Sequence, residues 1–362
     1  MSQARRDNEA NSAARARSLV LAHGWNSTSF QIVNPGIRHW FSTDGDAVVG
    51  YVTAEHMRIV VGAPVCTLER LPAVASAFES EAKQAGERVC YFGAEARLES
   101  VYTDSPDHTR FMLGAQPVWK LGGWVEVVKG NRSLRAQLHR AVNKGLTVSE
   151  WPVERAANNV DLGICLSEWL ATKGLPPLHF MVESDTLARL DGRRIFVAER
   201  SGIIEGFVVL SPVACRNGWL FEQFPHRPGA PNGTVETMID AAMRGLAAEG
   251  YEYATLGISP LSTRAGLGPT DDPMWLRVLL AWLRRHGRRF YNFDGLDHFK
   301  SKLKPVSWEP VFAISNESRV SIRTIYAITS AFSGNGPFHM FAGGFAKAAT
   351  TEMRWLKARF LH

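Results

Sequence analysis

The chain has 362 residues, of which 45% are hydrophobic and 21% are charged, so it is long enough for two packed domains and too apolar to be disordered. Its net charge of +6 permits a polyanionic partner without requiring one. The four cysteines form no CxxC pair, which argues against a zinc knuckle, and no run of about 18 strongly apolar residues predicts a membrane-spanning helix.

Predicted strands and helices alternate through the first part of the chain. Residues 1–17 contain no apolar run and predict a helical or flexible arm. The elements that follow are a hairpin at 47–53 and 57–61, a helix at 71–85, a strand at 88–92, a helix at 94–102, a strand region at 119–128, a helix at 133–144 and a strand at 147–151. Gly145 stands where a helix typically ends.

The second part repeats this order. Its predicted elements are a helix at 160–172, a hairpin at 194–199 and 203–211, a strand at 218–224, a helix at 234–247, a strand at 251–258, a helix from 271 to about 286 and a strand at 308–314. Asn232 or Thr234 can cap the helix at 234–247, and a Lys-rich turn is expected before the last strand. The alternation indicates an α/β or α+β fold.

The two similar blocks predict two lobes. We place them at residues 18–152 and 153–320, between the arm at 1–17 and an apolar and basic tail at 321–362. The element order of the second block is that of a GNAT acyltransferase lobe, in which the corner between a strand and a helix binds the pyrophosphate of acyl-CoA on free amides. In this chain that corner contains Pro228 and Pro231, which have no N–H, so a lobe of this shape with a different donor stays open.

Three motifs resemble the soluble C-terminal domain of the aminoacyl-phosphatidylglycerol synthases, the multiple peptide resistance factor family. The strongest runs from Phe290 to Pro310 and contains FYNFDGL, FKSKL and WEP. The second is LGISPLS at 256–262, and the third is the Arg-Pro to Asn-Gly corner at 227–233. The resemblance covers about residues 15–315. It implies two tandem GNAT-like lobes, each a mixed sheet flanked by helices, with a tunnel between them.

The sequence also departs from this family. Where the family commonly has D-L-M-R before the corner, the chain has Glu222-Gln223-Phe224-Pro225, which keeps an acid and loses the arginine. Residues 176–180, after Trp169, are more apolar than in the family. The family's long membrane half has no counterpart in this sequence. The identities of the amino acid and of the lipid therefore stay open, as does the oligomeric state.

The resemblance implies an aminoacyltransferase that moves an amino acid from aminoacyl-tRNA to a hydroxyl of phosphatidylglycerol or a related glycerolipid by transesterification. The enzyme must hold the α-ammonium group, polarise the ester carbonyl and protonate the leaving ribose oxygen. Aminoacyl-tRNA is the co-substrate, and neither a metal nor another cofactor is expected. With a lipid acceptor at the bilayer surface as the second partner, a cytoplasmic protein peripheral to the inner face of the plasma membrane is expected.

Three residues are the candidate catalytic groups. Glu222 lies mid-strand among apolar residues, where an unpaired carboxylate is costly, and is the candidate anchor for the ammonium group. A structural salt bridge to Arg227 is the alternative. Lys300 and Lys302 would point to opposite faces if extended, so one could stabilise the oxyanion and the other meet a phosphate. A solvated basic turn is the alternative for both lysines.

Other residues are expected to bind the substrates. Those expected to line the site are Ser259, Arg227, Tyr291, Asn292, Asp294, Trp308 and Glu309. Glu309 alternatively pairs with a lysine. Those expected to bind tRNA through its phosphates are Arg132, Arg135, Arg140 and Lys144 on one helix face and Arg284 and Arg285 near a helix C-terminus. Solvated helix faces are the alternative for these clusters.

Three other functions stay open at this stage. The chain could be a GNAT-type acyl-CoA N-acyltransferase, a Fem-like enzyme that transfers an amino acid to a peptidoglycan precursor, or a non-catalytic module that binds lipid or RNA. The basic aromatic tail at 354–360 either packs on the protein's own surface or docks on an anionic bilayer.

Overall fold

The computed structural model describes residues 3–172, 180–181, 185–266, 274–276, 278, 280 and 293–333. The helices that it describes are α1 (Gln3–His23), α2 (Leu71–Gln84), α3 (Ala96–Tyr102), α4 (Trp124–Lys129), α5 (Arg132–Asn143), α6 (Val153–Ala156), α7 (Val160–Ala171), α8 (Thr234–Ala248), α9 (Phe293–Lys302) and α10 (Ile322–Ser333). The N-terminal segment is thus helical, and α1 packs on the body of the protein, because its Ala16 and Val20 are fully buried.

All strands in the described part of the chain belong to one mixed sheet. They are β1 (Arg38–Phe41), β2 (Val48–Ala54), β3 (Met57–Val61), β4 (Arg88–Ala94), β5 (Thr109–Lys120), β6 (Leu146–Trp151), β7 (Arg194–Arg200), β8 (Ile203–Val213), β9 (Gly218–Gln223), β10 (Tyr253–Thr255), β11 (Ser259–Pro260) and β12 (Ser307–Ser315). Their order is β1-β2-β3-β4-β12-β5-β10-β9-β8-β7-β6, with β11 beside β5. The predicted α/β fold class is confirmed.

Each half of the sheet is built in the same way. Three antiparallel strands lead to a helix, and the strand after that helix pairs in parallel with the third strand. In the first half these parts are β1 to β3, α2 and β4. In the second half they are β7 to β9, α8 and β10. The parallel pairs are β3–β4 and β9–β10.

The two halves exchange strands. β12 comes late in the chain but lies between β4 and β5, and β5 comes early but pairs with β10. The edge strand β6 pairs with β7 of the second half. Because the halves interleave in one sheet, the lobe boundaries proposed from the sequence remain predictions.

Helices cover both faces of the sheet. On the second half, α8 buries Met238, Ile239, Ala242 and Met243 against the sheet, as its 3.6-residue periodicity predicts. On the first half, α2 buries its apolar side, including Phe78. Among the described residues no helix is both long and apolar enough to span a bilayer.

Three local predictions were wrong. The strand region expected at 119–128 ends at Lys120, and the residues after it are helical because Trp124 and Val128, one turn apart, are buried together. The Lys-rich turn is instead the helix α9. The N-cap of α8 is Gly233, whose φ of 96° suits glycine, and neither predicted side-chain cap forms.

Candidate active site

Glu222 lies at the end of β9, two residues beyond the last pairing of β9 with β10, which joins Leu220 to Thr255. Its side chain is 11% exposed, and Oε1 accepts a hydrogen bond of 2.8 Å from Nε of Arg193. The guanidinium also donates to Oδ1 of Asn34 at 3.0 Å. Burial with a charged partner keeps this carboxylate fixed in place. Oε2 accepts no hydrogen bond from the described residues, so it can accept one from a substrate.

Arg227 is not the partner of Glu222, so the alternative that paired these two residues was wrong. Its guanidinium donates to the carboxylate of Glu168 at 2.9 Å and to the carbonyl oxygen of Ile204 at 2.7 Å. These contacts hold the corner loop against β8. Arg193 precedes β7 in a loop without periodicity, and nothing in the sequence pattern distinguishes it from its neighbour Arg194.

Lys300 is buried, with 4% of its surface exposed. Its Nζ donates to the carbonyl oxygens of Gly257 and Ile258 at 2.8 and 2.9 Å, so it fastens α9 to the segment that follows β10. Burial lowers the pKa of Lys300 from 10.5 to about 7, against the opposing effect of Asp297. Lys300 therefore lies at the same end of the β9–β10 pair as Glu222.

Lys302 is exposed, and the two lysines occupy a helix rather than an extended segment. Asn131 holds the end of this helix, because its amide nitrogen donates to the carbonyl oxygen of Lys302 at 2.6 Å while its Oδ1 caps α5. Lys302 lines a cavity of about 130 Å³ between α5, α8 and α9. Glu222 and Lys300 do not line it, and no contact joins them to Lys302 in the described part of the chain.

A polar cluster surrounds the inner end of α9. Asp297 accepts from the hydroxyl of Ser262 and from Nε of Arg264, both at 2.6 Å, and the guanidinium of Arg264 lies 5.4 Å from the ring of Trp308. Asp294 is half-buried in the first turn of the same helix. The hydroxyl of the fully buried Ser259 has no hydrogen-bond partner among the described atoms.

Glu309 belongs to a second buried network, and the lysine partner expected as an alternative was wrong. Its carboxylate makes two hydrogen bonds of 2.6 and 2.7 Å with Arg216. The same guanidinium lies 3.5 Å from Glu95, which also accepts from the backbone and hydroxyl of Ser27. Burial raises the pKa of Glu95, and the hydrogen bonds from Ser27 and the charge of Arg216 oppose this. The sequence did not point to Arg216 or Glu95.

The basic residues of α5 lie on the surface as expected. Arg132, Arg140 and Lys144 are exposed, whereas Arg135 is half-buried. The guanidinium of Arg135 donates to the carbonyl oxygens of Val128 and Lys129, so it closes the end of α4. The remaining expected residues lie outside the described part of the chain, namely Tyr291, Asn292, Arg284 and Arg285, and so does the tail at 354–360.

The corner loop before α8 has several positions that cannot donate a backbone hydrogen bond to a ligand. The backbone N–H groups of Arg227, Ala230 and Thr234 already donate to carbonyl oxygens within the protein, and three further positions in the loop are prolines. A pyrophosphate-binding corner needs unpaired N–H groups directed at the ligand. The three prolines and the three occupied amides reduce, without removing, the capacity of this corner to bind a pyrophosphate.

Comparison with known proteins places the chain in a family. The model described as phosphatidylglycerol lysyltransferase, C-terminal, matches residues 17–315. Two curated relatives named phosphatidylglycerol lysyltransferase are similar to it. That of Bacillus subtilis (strain 168) is 25% identical over 294 residues, and that of Staphylococcus xylosus is 22% identical over 313 residues. These matches cover 81% and 86% of this chain but only 34% and 36% of the relatives, so the chain spans about a third of their length.

Solved structures share the fold. The C-terminal domain of an Agrobacterium fabrum protein aligns with a TM-score of 0.74 and 24% identity over 90% of this chain and 98% of that one. L-PGS from Bacillus licheniformis aligns with a TM-score of 0.73 and 21% identity over 88% and 95%, respectively. FemX aligns with a TM-score of 0.53 and 10% identity over 87% and 98%. Since the family model covers most of the sequence, the chain belongs to the family of phosphatidylglycerol lysyltransferase C-terminal domains.

Proposed function

We propose that this protein transfers an amino acid from aminoacyl-tRNA to a hydroxyl group of a membrane lipid, phosphatidylglycerol or a related glycerolipid. The observation that carries the proposal is the family match over residues 17–315. The relatives are named for lysyl transfer to phosphatidylglycerol. Aminoacyl-tRNA serves as the co-substrate in this proposal, and no further cofactor takes part.

The geometry supports Glu222 as the anchor for the α-ammonium group. Arg193 holds one carboxylate oxygen at 2.8 Å, and the other oxygen is available to a positively charged ligand. Charge-assisted hydrogen bonds are stronger than neutral ones, and a fixed carboxylate orients the ester without further loss of freedom. The attacking lipid hydroxyl forms the new ester bond, the bond to the ribose oxygen breaks, and the hydroxyl proton ends on that oxygen.

The two lysines take different roles in this proposal. Lys300 is a positioning residue, because both of its hydrogen bonds hold the backbone of Gly257 and Ile258 beside β9. Lys302 is exposed, faces the cavity and contacts the phosphates of the RNA, together with the cations of α5. The protein acts at the inner surface of the plasma membrane, where its acceptor lipid lies.

The test is a transfer assay with the full chain, vesicles that contain phosphatidylglycerol, and tRNA charged with labelled amino acids. The expected result is that label moves into the organic phase only with charged tRNA and that prior RNase treatment abolishes the transfer. Mass spectrometry of the extracted lipid then identifies both the amino acid and the acceptor. Transfer that resists RNase would contradict the proposal.

Two alternatives are separated by the same experiment. An acyl-CoA N-acyltransferase would label its acceptor from acyl-CoA without RNA. Transfer to a peptidoglycan precursor is the second alternative that the sequence left open. That function would give labelled muropeptides and leave the extracted lipids unlabelled.

A further inference from the structure

The cavity between α5, α8 and α9 has no role in the transfer chemistry described above. Its volume is about 130 Å³, and three apolar residues, Leu134, Phe299 and Leu303, contribute to its wall. For comparison, an apolar cavity of about 150 Å³ is large enough to bind a benzene ring. The space is therefore of the size needed for one planar ring.

The polar part of the lining is rich in acceptors. Glu236, in the first turn of α8, contributes a carboxylate that forms no hydrogen bond or ion pair with the described residues, and Gln137 contributes its side-chain amide. The Oε1 atom of Gln137 is buried and has no hydrogen-bond partner in the described structure. Buried acceptors of this kind are costly unless a ligand or water satisfies them. Lys302 and His298 complete the polar rim on the α9 side.

The walls of the cavity are held at fixed distances. A Cβ atom at Gly233 would lie 2.3 Å from the carbonyl oxygen of Gln137, so α5 and the start of α8 approach each other closely only because this residue is glycine. Asn131 joins the start of α5 to the end of α9. The site is thus preformed by the packing of the three helices.

We propose that this cavity binds one unpaired cytosine, a single ring with an exocyclic amino group, from the single-stranded 3′ end of the tRNA. This rests on the proposed function and adds a specificity site to it. The carboxylate of Glu236 and Oε1 of Gln137 accept from the amino group, while the apolar wall contacts the ring. Lys302 lines the cavity, and Arg132 and Arg140 of α5 are exposed, so these cations are available to contact phosphates.

The 3′ end of tRNA fits this chemistry. It is single-stranded and ends in cytosine, cytosine and adenine, all of which carry an exocyclic amino group. Uracil presents a carbonyl oxygen in place of the amino group. Three hydrogen-bond acceptors, those of Glu236, Gln137 and uracil, would then meet without a donor. The site therefore disfavours an unpaired uracil by repulsion as well as favouring the bases of the tRNA end by attraction.

The experiment compares two fluorescent RNA minihelices that differ only in their single-stranded 3′ end, CCA or UUU, by anisotropy titration with the full chain. Wild-type protein is expected to bind the CCA end about tenfold more tightly, since one good base contact discriminates by roughly this factor. Glu236→Met removes the carboxylate and is expected to reduce the ratio to near one. Equal binding of both ends by the wild type would overturn the proposal.

A matched control separates charge from recognition. Glu126→Met removes an exposed carboxylate from α4, where its partner is Lys129, and does not touch the cavity. Both variants lose one negative charge and are expected to bind RNA somewhat more tightly, but only Glu236→Met is expected to lose the preference for CCA. A Glu236→Met variant that keeps the tenfold ratio would also overturn the proposal. Thermal unfolding of both variants confirms that they fold.

The failure of this proposal differs from the failure of the proposed function. If lipid labelling requires charged tRNA while both minihelices bind equally, the cavity assignment is wrong and the transfer reaction stands. If neither minihelix binds and labelling resists RNase, the proposed function itself is wrong. A CCA preference that depends on Glu236, together with RNase-sensitive labelling, supports both.

Discussion

Arg193 and Arg216 each hold a carboxylate, and the surroundings of these two arginines differ in one respect. Arg193 binds Glu222 through a single hydrogen bond, and its other nitrogens donate to Asn34 and to the backbone of Arg189. Arg216 binds both oxygens of Glu309 and approaches Glu95. Glu222 keeps a free oxygen within the described structure, whereas Glu309 does not.

The difference indicates which acid can bind a substrate. A carboxylate with both oxygens engaged by a guanidinium gives up a bidentate pair before it can bind an ammonium group, and such pairs are among the stronger interactions in proteins. The Arg216 network also joins the exchanged strand β12 to β4 and to the segment near Ser27. We therefore infer that the Glu309 cluster stabilises the fold and that the Glu222 cluster is the one that meets the substrate.

Removal of Arg216 should give the largest effect on stability. Arg216→Ala leaves the buried Glu95 and the half-buried Glu309 without their common partner, and the free energy of unfolding is expected to fall by about 3 kcal/mol, mainly because the charge of Glu95 loses its partner. Urea unfolding measures the change. Arg244→Ala is the control, because it removes an arginine whose pair with Asp240 lies at the surface of α8 and should cost less than about 1 kcal/mol. If Arg216→Ala and Arg244→Ala lower the free energy of unfolding equally, the Arg216 network has no special role in stability.

Substitution of Glu222 should affect activity more than stability. Glu222→Gln keeps an acceptor for Arg193 but loses the charge that attracts the ammonium group, so lipid labelling is expected to fall about 100-fold, a magnitude typical for a lost charged contact at a reacting group. Glu309→Gln makes the same chemical change in the other cluster. The folded fraction of that variant should keep its activity, and a comparable loss in both would show that the comparison misassigns the two acids.

The sequence anticipated more of the fold than of these clusters. Both hairpins and α8 were predictable because apolar periodicity is a local signal. The insertion of β12 between β4 and β5 was not, because no local pattern says which distant strand a strand will pair with. The helix α9 was mistaken for a turn because Gly295 and the lysines of FDGLDHFKSK mask the periodic Phe299 and Leu303, which pack on the core.

The candidate site shows the same limit at the level of side chains. Glu222 could be selected because an acid between apolar residues of a strand requires a partner. The partner itself could not, since Arg193 lies 29 positions away along the chain and reaches Glu222 only through the folded sheet. The motif around Lys300 and Lys302 indicated both lysines but could not say that one is buried and the other exposed, because this depends on where α9 packs.

Lys300 is a buried cation with a different kind of partner. Its ammonium group donates to two backbone carbonyl oxygens, whereas Arg193 and Arg216 donate to carboxylates. Its pKa of about 7 in the folded protein lies below the ordinary 10.5. Between these values the unfolded chain holds a proton that the folded chain has released, so the free energy of unfolding of the wild type should rise with pH across this window. Below pH 7 Lys300 is charged in the folded protein as well, and only there does folding carry the full free-energy cost of burying this charge.

The measurement compares wild type with Lys300→Met from pH 7 to pH 10 by urea unfolding. One pKa unit corresponds to about 1.4 kcal/mol. Even part of the shift therefore makes the free energy of unfolding of the wild type rise by about this amount more than that of the variant. The variant lacks the titrating group and should not show the additional rise. If the difference in free energy of unfolding between the two proteins stays constant from pH 7 to pH 10, Lys300 keeps its proton in the folded state.

The smallest effect is expected from the exposed cations. Their charges stay hydrated in the folded protein, so they contribute to RNA binding in a salt-dependent way and little to stability. Arg140→Ala removes a charge from the outer face of α5 and should leave stability unchanged. If α5 contacts RNA phosphates, the slope of log affinity against log salt should become less steep by about 1. Arg319→Ala, at an exposed position beyond β12, should leave this slope unchanged. Because the two variants change net charge equally, a slope change in both would indicate general attraction to RNA, and a change in Arg140→Ala alone would assign the phosphate contact to α5.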